Sequence, residues 1–421
     1  MNVLKVYPSP EAIGGSEKSM HLAARALTGA GHNVYLLHSQ GIGALVMDGF
    51  SDARPVPLLF GGRCFNVGRI KRELRELLLR WSIDVVHIHG FPRFRILKWL
   101  YRNYPTVISI HVPVCPNGAR YFWKSRTCCA RRVGLGCLTV GYFRKGCGHL
   151  STGEPWSLHG FVRSMFEKWG QHSVLRQARF IIANSTWMKN QLVSENVAVD
   201  SIHVISPPIL IVPQQIRSGK ETMPVIVFTG RLVDFKGADQ LLRASLWITQ
   251  EHSIWIIGTG PAERMLRQLV IELKIADRVS FFGDVEGQEL EELRSRATIA
   301  VVPSLSPETF GLVGPEAMEL GLPVVAYRVG GISEWLLDGE SGLLVDKGDF
   351  RELGRTLSKL IGDPARLEEM SKIGQTLSPR YYVSEHVKGL EGIYKAAIEC
   401  SKASVSQSED VATSRWSFWR M

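Results

Sequence analysis

The chain has 421 residues, 50 Lys and Arg against 40 Asp and Glu, and a mean hydropathy of +0.01. At roughly 150 residues per domain, this length predicts two or three domains and excludes a mini-protein held together by disulfides. Hydrophobic residues make up 45% and charged residues 21%, which excludes a chain that is disordered throughout. The first residues lack the pattern of a signal peptide, and no apolar run approaches the ~18 residues of a spanning helix, so we expect a cytoplasmic protein.

The net charge of +10 is unevenly divided along the chain. Residues 1–212 contain 26 Lys and Arg against 11 Asp and Glu, whereas residues 213–421 contain 24 against 29. No acidic residue lies between Asp84 and Glu154, a stretch that carries eleven Lys and Arg residues. We expect this stretch to attract anions, whether phosphate groups, nucleic acid or an acidic bilayer surface.

Short apolar segments alternate with helical patterns through the first half of the chain. Strands are predicted at residues 3–7, 34–38, 84–89, 106–111 and 180–184. A Gly-containing loop at residues 13–17 precedes a helical pattern that reaches residue 27, and a second helix is predicted over residues 70–81. Strands that alternate with helices indicate a parallel sheet covered on both faces.

A Pro-rich polar segment at residues 206–220 is predicted to be an interdomain linker, because the strand and helix pattern restarts after it. The later strands are predicted at residues 225–229, 253–257, 279–282, 299–303 and 323–327, and the helices at residues 238–247, 262–273, 289–294 and 315–320. We therefore predict an α/β protein with domains at 1–212 and 213–380, a closing helix at 381–400 and a disordered tail at 401–421. Tandem α/β domains place a cleft between the carboxyl ends of their sheets.

Two basic residues lie in the loop after the first strand of the second half. Arg231 follows that strand directly, and Lys236 precedes the next helix. An Arg fork and a Lys point charge beside a helix N-terminus can neutralise a diphosphate and stabilise its departure. Two solvated basic side chains are the alternative interpretation of this loop.

Two carboxylates, Glu308 and Glu316, bracket a Gly-containing turn that opens a helix predicted to begin at Pro315. The glycine after Phe310 allows backbone N–H groups to approach a ligand, and a helix start favours phosphate. Glu308 can accept hydrogen bonds from sugar hydroxyls, and Glu316 from a ribose diol. A loop acid followed by an ordinary first-turn Glu is the alternative.

With these motifs in place, the sequence resembles the retaining glycosyltransferases of glycosyltransferase family 4, which have the GT-B fold of two facing Rossmann-like domains. The resemblance covers roughly residues 1 to 400. The specific motifs are Gly230-Arg231 with Lys236-Gly237, Gly258-Thr259-Gly260-Pro261, Phe282-Gly283, the Glu308 and Glu316 pair, and residues 321–326 followed by 330–334. Looser matches are Gly14-Gly15-Ser16-Glu17, residues 84–89 and Ala183-Asn184-Ser185.

The resemblance implies a nucleotide-diphosphate-sugar donor and catalysis without a required cofactor or metal. Arg231 and Lys236 would bind the diphosphate, Glu316 the ribose, and Glu308 with Phe310, Gly311, Leu312 and Val313 the donor sugar and phosphate. Gly14 and Gly15 would close over the phosphates, and Gly260 belongs to the substrate-binding set. The catalytic residues would be His111, Glu308, Arg231 and Lys236; a satisfied core histidine is the alternative for His111. Because the leaving diphosphate can accept the acceptor's proton, no strong protein base is required.

Five of the seven cysteines lie within residues 115–147, in an insert at about 112–150. Structural disulfides are rare in a cytosolic protein, so a structural zinc ion on Cys115, Cys128, Cys137 and Cys147 is one explanation. No two of these cysteines have the Cys-x2-Cys spacing, so buried unligated thiols, including that of Cys129, are an equal alternative. An iron–sulfur cluster is a third explanation, ranked below these two.

The same insert is basic and aromatic, which fits docking at an anionic membrane or an acceptor that bears phosphate. A solvated basic surface is the alternative. We predict transfer to a lipid-linked or saccharide acceptor in cell-surface polysaccharide or glycolipid assembly, by a cytoplasmic protein associated peripherally with the inner face of the cell membrane. A small soluble acceptor, as in secondary metabolism, and a nucleic-acid-binding function are the alternatives.

Overall fold

The computed structural model describes residues 1–8, 15–39, 49–56, 59–60, 67–115, 121–122, 127–129, 132–143, 147, 157–213, 219 and 221–417. At residues 121–122, 127–128 and 404–417 only the backbone is described. Gly14, which the resemblance places over the donor phosphates, lies outside the described residues, as does most of the basic segment around the cysteines.

The first domain is built on a seven-stranded parallel sheet in the order β3-β2-β1-β4-β5-β8-β9. The strands are β1 (Asn2–Val6), β2 (Asn33–His38), β3 (Asp52–Pro55), β4 (Val85–Ile88), β5 (Thr106–Ile110), β8 (Ile181–Ala183) and β9 (Ile202–Val204). Every residue of β4 and β5 is buried, because helices cover both faces of the sheet. A separate antiparallel pair, β6 (Tyr121–Phe122) and β7 (Thr127–Cys128), lies in the insert.

The helices of the first domain are α1 (Gly15–Gly29), α2 (Val67–Arg80), α3 (Phe94–Asn103), α4 (Leu158–Leu175) and α5 (Thr186–Ser194), with a π-helix at Cys137–Tyr142 and a 3-10 turn at Val199–Ser201. Helix α2 shows why such segments fold as they do. Its buried residues are Ile70, Leu74 and Leu78, spaced four apart, so they form one apolar stripe while the charged residues between them face water.

The second domain has a six-stranded parallel sheet in the order β12-β11-β10-β13-β14-β15. The strands are β10 (Val225–Thr229), β11 (Ser253–Ile257), β12 (Val279–Gly283), β13 (Ile299–Val302), β14 (Val324–Tyr327) and β15 (Gly342–Val345). The helices are α6 (Ala238–Ala244), α7 (Glu263–Glu272), α8 (Gly287–Ser295), α9 (Val313–Glu319), α10 (Ile332–Trp335), α11 (Phe350–Ile361) and α12 (Pro364–Leu377), with 3-10 turns at Asp234–Lys236, Ser245–Trp247 and Ser378–Tyr381.

The last helix, α13 (Val383–Ser417), returns to the first domain. Its residues Val387, Leu390 and Tyr394 join the apolar cluster between β1, β2 and α1. The Tyr394 hydroxyl lies 2.6 Å from Nδ1 of His87, on β4. The first sheet is therefore covered on one face by α1 and a helix from the far end of the chain, and on the other face by α2 to α5.

The structure differs from the sequence-based expectations at two helix boundaries. Helix α13 continues to Ser417, so most of the tail predicted to be disordered has a helical backbone. Helix α9 begins at Val313, two residues before Pro315, so this proline is its third residue. The domain boundaries predicted at residues 212 and 380 stay predictions, although the two sheets lie on either side of the first boundary.

Candidate functional site

The loops that follow β5 and β8 of the first sheet meet loops of the second domain. The hydroxyl of Thr309 donates to the carbonyl of His111 at 3.0 Å, and it accepts from Asn184 Nδ2 at 2.9 Å. The Ser185 hydroxyl donates to the Thr309 carbonyl at 2.5 Å. Thr309 thus joins the carboxyl ends of β5 and β8 to the loop of Glu308, where the ligands of parallel α/β sheets bind.

Lys236 and Glu308 form the charged centre of this site. The Lys236 ammonium lies 2.7 Å from Glu308 Oε1, and the Ser304 hydroxyl donates to the same carboxylate oxygen at 2.5 Å. Burial alone would raise the pKa of Glu308, but the charge and hydrogen bond of Lys236 and the hydrogen bond from Ser304 lower the pKa below its ordinary value. Glu308 is therefore held ionised, as an acceptor of hydrogen bonds.

Two glycines allow the loops of Lys236 and Glu308 to approach neighbouring backbone. Gly237 has φ of 74°, and a Cβ there would lie 1.9 Å from the carbonyl oxygen of Pro303, at the end of β13. Gly330 has φ of 59°, and a Cβ there would lie 1.9 Å from the carbonyl oxygen of Glu308. Only glycine combines this left-handed conformation with such close approach. Both glycines therefore position the charged pair.

His111 follows β5 and is partly buried, and its carbonyl accepts the hydrogen bond of Thr309, the residue after Glu308. Its Nε2 lies 3.0 Å from Nδ1 of His89, and the two rings stack with centroids 5.3 Å apart. Burial lowers the pKa of His111 to about 4, against the opposing charge of Glu17 and with a further lowering by Lys5. The imidazole is thus neutral at pH 7.

The start of α1 lies close to the turn predicted to bind the donor. A Cβ on Gly15 would be 3.5 Å from Cδ1 of Leu312, so this glycine faces the loop before α9. Phe310 is buried, and its carbonyl accepts a hydrogen bond from Trp335 Nε1 at 2.7 Å. Beside Gly15, Glu17 accepts hydrogen bonds from the hydroxyl groups of Tyr7 and Ser16 at 2.8 and 2.9 Å.

Glu316 lies on α9 and is paired with a buried arginine. Arg294 Nη1 is 3.3 Å from Glu316 Oε2 and also 3.3 Å from Glu291 Oε1, and the Arg294 side chain is only 2% exposed. Glu316 keeps a third of its side-chain surface exposed, so it can accept further hydrogen bonds. Arg294 holds it in place.

Arg231 and Gly260 lie in the loops after β10 and β11. Arg231 is exposed, and its side chain makes no hydrogen bond or ion pair with residues in the described part of the chain. A Cβ on Gly260 would lie 2.3 Å from the carbonyl oxygen of Leu232, which shows how closely these two loops pack. The structure thus brings Lys236, Glu308 and His111 together at one junction and leaves Arg231 exposed.

Sequence reasoning missed Ser304, Thr309 and Arg294. Ser and Thr in loops are too common to be singled out, and the role of Arg294, on α8, is visible only from its ion pair with Glu316, on α9. For Glu334 the sequence indicated only that it belongs to a motif. Its carboxylate accepts from the backbone N–H groups of Thr186 and Trp187 at 2.7 and 2.6 Å, and so caps a helix of the other domain.

The described cysteines of the insert lie near one another. Cys137 and Cys147 are buried in one apolar cluster with Phe161, and Cys129 packs against it. Burial raises the pKa of the Cys147 thiol to about 12, with Cys115, Cys129 and Cys137 adding to the rise. Over the ranges that the structure describes, no three His, Cys, Asp or Glu side chains are grouped as metal ligands, and the side chain of Cys128 falls outside these ranges.

Large apolar side chains are exposed near the insert, on the first domain. They are Leu135 and Phe143 beside the π-helix, and Leu158, Phe166 and Trp169 on α4. Arg163 lies on the same helix, one turn before Phe166. Within the described part of the chain, no helix has both the length and the apolar character needed to cross a bilayer.

Two family profiles match consecutive parts of the chain. Residues 13–210 match Glycosyltransferase Family 4, and residues 214–377 match Glycosyl transferases group 1. The chain has two parallel α/β sheets and a site at their carboxyl edges, and these two profiles match it on either side of residue 212. It therefore belongs to glycosyltransferase family 4. The predicted resemblance is confirmed.

Individual relatives match over shorter stretches. The chain is 34% identical over 195 residues to a D-inositol 3-phosphate glycosyltransferase of Acidothermus cellulolyticus, covering 44% of this chain and 43% of the relative. It is 33% identical over 168 residues to a GDP-mannose-dependent alpha-(1-6)-phosphatidylinositol monomannoside mannosyltransferase of Mycolicibacterium smegmatis, covering 38% and 44%. The aligned stretches span less than half the length of these two relatives.

Solved structures match over nearly the whole chain. The structure of Anabaena Alr3699/HepE in complex with UDP and glucose has a TM-score of 0.70 at 18% identity and covers 94% of this chain and 100% of that one. A sucrose-phosphate synthase from Thermosynechococcus elongatus has a TM-score of 0.71 at 18% identity and covers 95% and 100%. These likenesses confirm the predicted α/β GT-B fold of two Rossmann-like domains.

Proposed function

We propose that the protein is a retaining glycosyltransferase that moves a sugar from a nucleotide-diphosphate-sugar to an acceptor hydroxyl. The observation that carries the proposal is the hydrogen-bonded pair of Lys236 and Glu308, which Thr309 joins to His111. A partly exposed cation, an ionised carboxylate and a neutral imidazole at one domain junction suit a donor that carries both phosphate and sugar hydroxyls.

Different site residues would bind different parts of the donor, according to the charge of each part. Lys236 and the exposed Arg231 bind the diphosphate, and Lys236 exchanges its hydrogen bond with Glu308 for one with a phosphoryl oxygen. Glu308 then accepts hydrogen bonds from the sugar, while Glu316, held by Arg294, accepts from the ribose. UDP and glucose in the structure of Alr3699/HepE support this class of donor.

The reaction places its charge on the diphosphate rather than on a protein base. As the bond from the sugar's anomeric carbon to the diphosphate oxygen breaks, negative charge develops on that oxygen, and Lys236 and Arg231 stabilise it. The same oxygen accepts the proton of the attacking hydroxyl, which adds to the face the diphosphate leaves, so configuration is retained. Neutral His111 hydrogen-bonds the sugar and requires no proton transfer of its own.

Substitution of the charged pair tests this proposal. Lys236→Ala and Glu308→Ala are each expected to lower kcat/KM about 100-fold or more, the loss typical of removing one group that stabilises transition-state charge. Nucleotide-diphosphate release from a panel of UDP- and GDP-sugars is the measurement. Lys372 and Glu368, an exposed pair 2.5 Å apart on α12, supply the matched controls as Ala variants. Near-normal turnover by Lys236→Ala or Glu308→Ala would overturn the assignment.

For the acceptor, we propose a lipid-linked or saccharide hydroxyl reached at an anionic membrane surface. The exposed side chains of Leu158, Phe166 and Trp169 lie on α4, and the acid-free basic stretch up to residue 153 precedes this helix directly. Apolar and aromatic groups beside cations are the combination that binds lipid headgroups and the acyl boundary. The M. smegmatis relative is named for a phosphatidylinositol monomannoside acceptor.

Flotation with vesicles measures this attachment. We expect the protein to float with phosphatidylcholine vesicles that contain phosphatidylglycerol at low salt, and to be released at high salt because the attraction is electrostatic. The double variant Phe166→Ser/Trp169→Ser should lose flotation, whereas Ile271→Ser, at an exposed apolar residue of α7, should keep it. Absence of flotation of the wild type at low salt would contradict membrane docking, and flotation that salt and the double variant leave unchanged would contradict docking through cations and α4.

A second candidate is transfer to a small soluble acceptor that carries phosphate. The relative from Acidothermus is a D-inositol 3-phosphate glycosyltransferase, and the same basic first domain would attract such an acceptor. Turnover on soluble phosphorylated acceptors without vesicle binding would favour this candidate over the membrane acceptor.

A structural zinc ion on Cys115, Cys128, Cys137 and Cys147 stays a prediction, beside the alternative of buried thiols. The grouping of Cys129, Cys137 and Cys147 around Phe161 supports a shared role for these cysteines. Elemental analysis of protein purified without oxygen measures it: we expect one zinc per chain, lost in Cys137→Ser. Absence of metal with titratable thiols would leave the buried-thiol interpretation.

A further inference from the structure

His111 is the last member of a chain of three hydrogen-bonded side chains that begins inside the first sheet. Lys5 Nζ, on β1, lies 3.0 Å from His89 Nε2, and His89 Nδ1 lies 3.0 Å from His111 Nε2. The Lys5 side chain is fully buried and His89 is 7% exposed. The contact between Lys5 and His89 is therefore shielded from bulk water, and the contact between His89 and His111 is partly buried.

The chemistry of lysine gives this chain a direction. An ammonium group has three donors and no acceptor, so Lys5 donates and His89 Nε2 accepts. The proton of neutral His89 then resides on Nδ1, which donates to His111 Nε2. His111 Nε2 is consequently an acceptor, and the proton of the neutral His111 ring resides on Nδ1.

A neighbouring histidine, His87, does not compete for the hydrogen bonds that join Lys5, His89 and His111. His87, beside Lys5 in the register of β1 and β4, has both ring nitrogens within hydrogen-bond distance of hydroxyls: Tyr394 OH at 2.6 Å and Ser109 Oγ at 2.7 Å. Its ring lies 3.8 Å from that of His89 and packs against it. His87 therefore braces the His89 ring without competing for its nitrogens.

We propose that Lys5 and His89 are positioning residues that hold His111 in the Nδ1–H tautomer and fix its ring at the donor site. The inference rests on the proposed function, in which His111 hydrogen-bonds the donor sugar. It assigns a chemical reason for a buried lysine in the first sheet: while the ammonium group of Lys5 is charged it can only donate, and this makes the outermost imidazole a donor through Nδ1 and not a base through that atom.

The tautomer can be measured without any substrate. In protein labelled with 15N in its histidine rings, two-bond 15N–1H correlation spectra at pH 6 distinguish protonated from unprotonated ring nitrogens. The pKa of Lys5, lowered to about 7 by burial, leaves this side chain largely charged at that pH. We expect His111, assigned with His111→Gln, to show a protonated Nδ1 and an unprotonated Nε2. A protonated Nε2 in the wild type would overturn the proposal.

Lys5→Met tests the source of this preference. Methionine fills the space of the buried lysine stem but donates no hydrogen bond, so His111 is expected to become a mixture of both tautomers. His252→Gln, at a buried histidine of the second domain, is the matched control and should leave the His111 signals unchanged. A single Nδ1–H form of His111 in Lys5→Met would show that Lys5 does not set the tautomer of His111.

Kinetics separate positioning from a purely structural role. On a UDP- or GDP-sugar that the wild type turns over, Lys5→Met and His89→Leu are expected to lower kcat about tenfold while donor KM changes by less than about twofold, because one oriented hydrogen bond is lost and the donor's charged contacts remain. Unchanged kcat in both variants would contradict the proposal. Normal turnover by His111→Gln would contradict the proposed role of His111 at the donor sugar. The spectra would still show which tautomer His111 adopts.

Discussion

At the scale of single residues, the first sheet contains a lysine where an apolar residue would pack at no electrostatic cost. Lys5 occupies the middle of β1 and is fully buried. Burial lowers the pKa of Lys5 to about 7, because the charged form loses its hydration. Its only hydrogen bond to a described side chain runs to His89. A buried cation of this kind costs stability. This cost fits a role of Lys5 in positioning His89 and His111.

The stability of the protein should therefore depend on pH through Lys5. Between pH 7 and 10.5 the unfolded chain holds a proton on this residue that the folded chain has released, so stability rises with pH over that window, by up to about 1.4 kcal/mol per pH unit. Below pH 7 both states are protonated, and the cost of burial is fully present. Urea unfolding at several pH values measures this slope.

The comparison with Lys5→Met isolates the lysine from other titrating groups. The variant is expected to be more stable than the wild type at pH 7, and the difference should shrink as the pH approaches 10. Parallel pH dependences in the two proteins would show that Lys5 is not buried as a titrating amine.

At the scale of elements, the site depends on where short loops leave the strands. The turn of Asp234–Lys236 ends at Gly237, whose backbone lies against the end of β13, and this contact brings Lys236 to Glu308. The ion pair is thus set by the packing of one loop on one strand rather than by a long helix. A change of a single atom at Gly237 should displace it.

Gly237→Ala is expected to lower both stability and turnover. The left-handed φ of 74° costs a non-glycine residue about 1–2 kcal/mol, and the new Cβ would also meet the Pro303 carbonyl at 1.9 Å. Gly283→Ala is the matched control, because Gly283 has φ of 72° and a Cβ there would have no neighbouring atom within 4 Å. Chemical denaturation and nucleotide-diphosphate release should show the larger loss for Gly237→Ala; equal losses would mean that the contact with Pro303 has no effect.

Several elements were predictable from the sequence because their burial is continuous. The strands β4, β5 and β10 are short, mostly apolar runs covered on both faces, and α2 has buried apolar residues at every fourth position. The edge strand β3 was missed, since only Ala53 of its four residues is buried and no apolar pattern marks it. The strand β15, at an edge of the second sheet, was also missed; it begins at a glycine, and its two leucines are only partly buried.

At the scale of the whole molecule, polar contacts join the two domains around the site. Glu334, from the second domain, caps α5 of the first through two backbone N–H groups, and Lys18 of α1 lies 2.7 Å from Glu286. Helix α13 adds a third connection, because it follows the second domain in the chain and packs on the first sheet. These contacts, the hydrogen bonds of Thr309 with Asn184, Ser185 and His111, and one returning helix thus hold the domains together.

Glu334→Gln should loosen this arrangement while each domain stays folded. The variant loses the charge that accepts from Thr186 and Trp187, a contribution of about 1.5–3 kcal/mol for hydrogen bonds to a charged group. We expect lower turnover and a larger radius of gyration by small-angle X-ray scattering. Asp349→Asn is the control, because Asp349 caps α11 within its own domain through the N–H of Glu352. A radius that changes equally in both variants, or in neither, would contradict an interdomain role.

The two α/β domains, the basic first half and the family motifs can be predicted from the sequence, because they depend on local apolar periodicity, on charge and on glycines in short loops. Lys236, Glu308, Glu316 and His111 are candidate site residues on the same grounds. The folded structure is needed to show that Lys236 and Glu308 share a hydrogen bond, that Arg294 holds Glu316, and that Lys5 reaches His111 through His89. Residues 84 positions apart, such as Lys5 and His89, become neighbours through strand pairing, and no local pattern in the chain encodes that pairing.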